Sequence, residues 1–169
     1  MSDTDWSVMS EVKTNPMRTL DKADVQYRVH TYKEDPKLSG ADVANILGED
    51  PDRVFKTLVT VTKDKKYNVF VVPVEKELDL KKAAASVGEK SVSMMPSAQL
   101  LSITGYVHGG CSPFCMKRPF TTVIDSSVLN GDVIYVSAGK VGYQLELSVD
   151  DFLRVGGFKV AEISREASG

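Results

Sequence analysis

Two apolar runs, Val54 to Thr62 and Asn68 to Val74, are separated only by a short charged loop around Asp64-Lys65-Lys66. Runs of this length bounded by turn residues read as strands, and so short a connection joins them as a hairpin. No other feature constrains the fold as strongly. Upstream, Thr14-Asn15-Pro16 sets a cap and a first-turn proline ahead of Met17, Leu20 and Ala23 at helical spacing. From Val25 the alternation of Val25, Tyr27, Val29 and Thr31 predicts a strand. Ser39 then opens a short helix that Gly48 closes, with Val43, Ala44 and Leu47 inward.

Downstream, Asp79 caps a helix through Ala83–Ala85 that ends at Gly88. A short strand over Ser91–Met95 precedes a helix with Pro96 near its first turn. Tyr106–Val107 begins an extended segment running into Gly109-Gly110-Cys111-Ser112-Pro113. Thr121–Ile124, Val133–Ser137 and Tyr143–Leu147 read as strands, Ser148 starts a last helix, and Val160–Ile163 forms a final strand. The strands come in groups instead of alternating with helices, which predicts an α+β fold with a mixed or antiparallel sheet.

At 169 residues the chain suits one domain, taken as residues 13–169, with 1–12 as a flexible leader. The polar start Met-Ser-Asp-Thr-Asp is unlike a secretory signal, and no apolar run approaches the ~18 residues of a membrane span. Two cysteines four residues apart make no disulfide framework. A cytoplasmic, reducing setting is therefore expected. The net charge of −2 argues against coating long nucleic acids. A small basic pocket gripping only the tip of one stays open.

No dinucleotide-binding or nucleoside-triphosphate glycine motif is present, and no Gly-x-Ser-x-Gly elbow. His30 sits in a strand, facing opposite to Val29 and Thr31, with no evident partner. His108, Cys111 and Cys115 offer three metal ligands without a second cluster, so no metal is expected, and both cysteines read as small buried residues. The Gly109–Pro113 bend is either a tight loop or a nest of N–H groups suited to an anion or a carbonyl oxygen gaining charge. The bend from Ser137 to Gly142 carries the same two readings. Lys56, inside the apolar start Val54-Phe55-Lys56-Thr57-Leu58, either projects to solvent or places an ammonium in a pocket. Spacing alone leaves both open.

Six segments occur together and in order: Asn15-Pro16-Met17-Arg18, Val54-Phe55-Lys56-Thr57-Leu58, Leu78-Asp79-Leu80-Lys81-Lys82, Thr104-Gly105-Tyr106, Gly109-Gly110-Cys111-Ser112-Pro113 and Ile134-Tyr135-Val136-Ser137. The series, from about Thr14 to about Ser164, resembles the YbaK/EbsC family, relatives of the editing domain inserted in bacterial prolyl-tRNA synthetases. The resemblance implies one compact α+β domain, a mixed barrel-like sheet flanked by helices. It implies removal in trans of cysteine wrongly attached to tRNA(Pro), without a cofactor or metal. The acceptor end of that tRNA would be the partner, and prolyl-tRNA synthetase comes into view as a second.

By the same resemblance, Lys56 matches the family's essential lysine, which holds the terminal nucleotide and the ester. Gly109, Gly110, Ser112 and Pro113 match its Gly-x-x-x-Pro loop, with Cys111 beside the pocket. Tyr32, Thr57 and Ser137 match pocket positions, and Gly139 belongs to the second bend. Gln144 stands where cysteine-specific members carry an aspartate able to bind a substrate ammonium. Phe114, Cys115, Ala138 and Val141 also depart from the family pattern. The implied chemistry needs no protein nucleophile, since the substrate's own thiol would attack. Two alternatives accompany this reading: a non-catalytic regulator that binds a nucleotide or aminoacyl end, and a deacylase for alanine or serine.

Overall fold

The computed structural model describes residues 12–168, so the expected leader lies outside the described residues apart from Val12. The hairpin forms as expected. Strand β1 (Tyr27–Thr31) precedes it, and β2 (Phe55–Val61) pairs antiparallel with β3 (Tyr67–Pro73), with Phe55 opposite Pro73 and Val61 opposite Tyr67. The connecting turn is tight: Lys65 takes φ +62°, and Thr62 donates its N–H to the Lys66 carbonyl at 2.9 Å. After β4 (Lys76–Leu78), the short β5 (Ser93–Met94) pairs with the far end of β2. On the other side β3 pairs in parallel with β6 (Thr121–Asp125).

The remaining strands are β7 (Val133–Ser137), β8 (Tyr143–Ser148), β9 (Lys159–Ala161) and β10 (Ser164–Glu166). Strand β9 extends the hairpin sheet to the mixed order β5-β2-β3-β6-β9. A second, antiparallel sheet has the order β1-β8-β7, and β4 with β10 makes a two-stranded ribbon. Among the described residues the α-helices are α1 (Asn15–Lys22), α2 (Gly40–Leu47), α3 (Leu80–Ser86), α4 (Leu100–Thr104) and α5 (Val149–Gly156).

Strand β3 explains why its sequence lacks alternation. Val69, Phe70, Val71 and Val72 are all fully buried, because both faces of this central strand are covered. On one face Val71, Phe55 and Ile124 pack with Ile134, Val136, Leu145 and Leu147 of the three-stranded sheet, and α1 and α5 add Met17, Leu20 and Phe152. On the other face Phe70 and Val72 meet Leu78, Ala83, Ala84 and Ile163. Each such side chain contributes roughly 1.5–3 kcal/mol by leaving water. The helix starts follow their caps. Thr14 Oγ1 accepts from the Met17 N–H, Ser39 and Asp42 form a reciprocal capping box, and Ser148 Oγ accepts from the Asp151 N–H.

Three expectations need correction, and one segment not expected as a strand takes its place between them. The sheets do not close into a barrel: among the described residues they meet by strand pairing only at the parallel bridge Val54–Tyr135, and each keeps open edges. Tyr106–Val107 joins no ladder, because Gly105 ends α4 at φ +87° and the Tyr106 hydroxyl donates back to the Phe114 carbonyl at 2.6 Å. The final strand is split into β9 and β10, since the Ile163 and Ser164 N–H groups turn aside to the Asp125 carboxylate, each at 3.0 Å. The first strand begins at Tyr27, not Val25, whose N–H still donates to Leu20 at the end of α1.

Candidate functional site

A cavity of about 440 Å³ is lined from both sheets, with Val54 of the Val54–Tyr135 bridge on its wall. Strand β2 is paired to β3 along its whole length, but on its outer edge β5 reaches only Thr60 and Val61. That leaves the edge at Lys56, Thr57 and Leu58 unpaired by any strand among the described residues, and all three line the cavity. From the other sheet come Ser137 at the end of β7 and Gln144 on β8. The start of α2 forms a further wall with Ser39, Gly40 and Val43. Gly40 is required there, because a Cβ would sit 2.6 Å from Val74 Cγ1.

Lys56 is half-buried in this wall. Burial lowers the pKa of its ammonium, while the charge of Glu77 acts weakly in the opposite direction. A partly desolvated cation without a close carboxylate is ready for an anionic or carbonyl-rich ligand. The solvent-facing alternative for Lys56 does not hold. Tyr32 and Thr57 line the same space, and the Tyr32 N–H donates to the Gly142 carbonyl at 3.0 Å, tying the end of β1 to the second bend.

The glycine loop contributes unevenly. Gly109, at φ +84°, and Cys111 face the cavity, and their N–H groups have no intramolecular partner among the described residues. Gly110 does not line it: its N–H donates to Val107, and its α-carbon backs onto the other bend, where a Cβ would come 3.1 Å from the Val141 nitrogen. Ser112 is fully buried and its Oγ accepts from the Phe114 N–H at 3.1 Å, while Pro113 faces a separate hollow. Gly139, at φ +94°, has Pro16 and Tyr106 where a Cβ would stand, and its N–H donates to Ser137 Oγ. Gly110 thus backs onto the second bend, Gly139 sits within that bend, and Ser112 and Pro113 are turned to the interior and to the separate hollow.

The cysteines differ from their shared expectation as buried residues. Cys111 is partly buried on the cavity wall, and burial pushes its thiol up to about 12, with a hydrogen bond to Thr104 working against it. It stays protonated and is a poor nucleophile. Cys115 is exposed, at φ +62°, with its sulfur 3.1 Å from Thr19 Oγ1. Among the described residues no three His, Cys, Asp or Glu side chains come together as a metal site. His30 has a partner after all: its Nε2 lies 2.7 Å from Glu146 Oε1 across the β1–β8 pair.

One participant escapes sequence reading. Gln144 is buried, and its Nε2 donates to Glu49 Oε1 at 2.9 Å. Glu49 follows Gly48, whose left-handed conformation at φ +68° turns the chain back after α2. The two residues are 95 positions apart, so only the fold reveals the pair.

A single cation, an unpaired strand edge and unspent main-chain N–H groups around one cavity define a class of site. Such walls suit a small anionic or carbonyl-bearing group, held by position and charge. On this mixed α+β frame the family is specific: the chain belongs to the aminoacyl-tRNA editing domain family, whose model matches residues 34–155. It is 40% identical over 156 residues to EbsC of Enterococcus faecalis (strain ATCC 700802 / V583), described as a candidate Cys-tRNA(Pro)/Cys-tRNA(Cys) deacylase. That match covers 92% of this chain and 95% of EbsC. Two crystal structures share the fold. The hypothetical protein APE2540 superposes with TM-score 0.79 at 23% identity, over 88% of this chain and 97% of that one. A candidate trans-editing enzyme for prolyl-tRNA synthetase gives 0.72 at 20% identity, over 91% and 99%. No helix among the described residues is long and apolar enough to cross a membrane.

Proposed function

We propose that the protein is an aminoacyl-tRNA deacylase that acts in trans, in the cytoplasm, on cysteine mischarged to tRNA(Pro). The observation that carries this reading is the shared cavity: Lys56, Gly109 and Cys111 stand on its walls together. Lys56 would hold the terminal nucleotide and the ester oxygen. The N–H groups of Gly109 and Cys111 would receive the carbonyl oxygen as it gains charge. Tyr32, Thr57 and Ser137 would bound the space for adenosine and side chain. Gly110, Ser112, Pro113 and Gly139 would keep the bends in place.

An aminoacyl ester is already activated, so position and oxyanion stabilisation can supply the rate. With a cysteinyl ester the substrate sulfur attacks its own carbonyl carbon, the bond to the ribose oxygen breaks, and the thiol proton ends on that oxygen. The high pKa of Cys111 supports a substrate-derived attacker over a protein thiolate. Prolyl-tRNA synthetase, the synthetase named for the trans-editing structural relative, is a fitting partner to deliver the substrate.

The test is release of labelled amino acid from cysteinyl-, alanyl- and seryl-tRNA(Pro) by wild type and Lys56→Ala. Cysteine is expected to be released fastest, with the variant slowed by about 10²-fold or more at unchanged fold. Wild-type rate in a folded Lys56→Ala protein overturns the role of Lys56. Binding of all three without cleavage replaces the enzyme with a binding module.

A further inference from the structure

The hollow that Pro113 faces has a volume of about 510 Å³ and shares the glycine loop with the first cavity. Cys111 lines the one and Pro113 the other, and two residues of chain hold their α-carbons within about 7 Å. Among the described residues no Asp or Glu lines this hollow, whereas Arg118 and Lys159 both do. Neither cation has an ion-pair partner among the described residues. On a chain of net charge −2, that is a local surplus of positive charge.

Both cations are carried on ordered parts of the fold. The Arg118 guanidinium lies 5.5 Å from the centroid of the Phe120 ring, which orients it without neutralising it. Lys159 opens β9, opposite Val123 of β6. Gly156 and Gly157 give a further wall without side chains. Helix α5 ends there, but its terminus carries only about half a negative charge against two full positive ones. The balance favours an anion. The rings of Phe120 and Phe158 line the hollow too, and cations interleaved with aromatic rings are the combination that tracks single-stranded nucleic acid.

We propose that this hollow holds backbone phosphates of the tRNA strand immediately 5′ of the nucleotide whose ester enters the first cavity. This rests on the deacylase reading and deepens it. A cavity of about 440 Å³ is of the size that takes one small molecule, so it receives the terminal aminoacyl nucleoside and leaves the charged strand outside. The hollow lies at the next stretch of the same loop. An acidic protein segment would meet the same cations, but the aromatic rings and the continuity with the ester site favour a nucleic-acid strand. Phosphate contacts of this kind position the strand without reading its sequence. They also let an acidic protein engage a polyanion, because the positive charge is concentrated where the strand passes.

The probe is uncharged tRNA(Pro), whose binding to the full chain requires no cleavage. Arg118→Ala combined with Lys159→Ala should weaken it about tenfold at low salt and lower the slope of log Kd against log salt by about 1.5. Both side chains are exposed, so the fold should hold. The charge-keeping pair Arg118→Lys with Lys159→Arg should retain the wild-type slope. For cysteinyl-tRNA(Pro) the double alanine variant should raise KM by a similar factor at unchanged kcat. Cysteinyl-adenosine, which has no phosphate, should be cleaved as by wild type. An unchanged slope in the double alanine variant, or an equal loss on cysteinyl-adenosine, overturns the proposal. Unchanged tRNA binding with lost binding of prolyl-tRNA synthetase overturns it as well and gives the hollow to a protein. Cleavage by wild type with an unchanged slope in the variant leaves the deacylase standing and removes the phosphate site. A lowered slope without cleavage of any ester does the reverse.

Discussion

At the scale of single residues, chemical character at this site is set by how far each side chain has left water. Lys56 and Cys111 share a cavity, and burial moves their pKa values in opposite directions: the ammonium is pushed down and the thiol up, each away from its charged form. The thiol pair offers a direct check. At pH 7.5, limiting iodoacetamide should label exposed Cys115 well before Cys111, as read by peptide mass spectrometry. Preferential labelling of Cys111 would mean that its thiolate is accessible and that a protein nucleophile must be reconsidered. None of this was legible in the sequence, where the two cysteines looked alike and Lys56 could face either way. Alternation along a strand assigns a face, but not whether a cavity opens there.

Elements matter here because the glycine loop has no regular structure to hold it. Its anchor is Phe114, which packs edge-on to Phe152 and tilted to Phe158, both with ring centroids 5.5 Å away. Its main chain is clamped from behind by the Tyr106 hydroxyl on the Phe114 carbonyl. Phe114→Ala should therefore cost about 3–5 kcal/mol in urea unfolding, as for other aromatic truncations in cores. The deacylation rate should fall as well, because Gly109 and Cys111 lie only a few residues before the lost anchor. A stable Phe114→Ala protein with wild-type rate would show that the loop is held some other way. The departure of Phe114 from the family pattern thus has a structural role, visible only once α5 and the loop are seen in contact.

Across the whole molecule, Asp125 joins parts that no local pattern connects. Its carboxylate accepts from the Ser127 hydroxyl at 2.5 Å and from the N–H groups of Ile163 and Ser164, linking the end of β6 to the break between β9 and β10. Burial alone would raise its pKa, but these donors outweigh it and the net shift is downward. A carboxyl with a depressed folded pKa stabilises above its unfolded value of about 3.9, and that contribution is lost as pH falls through the folded pKa. Asp125→Asn should thus cost about 1.5–3 kcal/mol at pH 7. In urea unfolding the gap to wild type should shrink as the pH is taken below about 4. A gap that stays constant from pH 7 to 3 would contradict this role.

The local rules in the chain determined the hairpin, the helix caps, most strand positions and the α+β class, because each depends on residues within a few positions of one another. The ordered series of short segments also carried the family. What only the tertiary structure decided was relational. Among the described residues the two sheets meet by pairing at a single bridge and stay open, and β2 keeps an unpaired edge on the cavity. Part of the glycine loop turns away from that cavity, and its Gly110 backs onto the second bend. Glu49 meets Gln144 because a left-handed glycine at the end of α2 points it across 95 residues of sequence. Burial and charge act through space, and distance along the chain does not encode them.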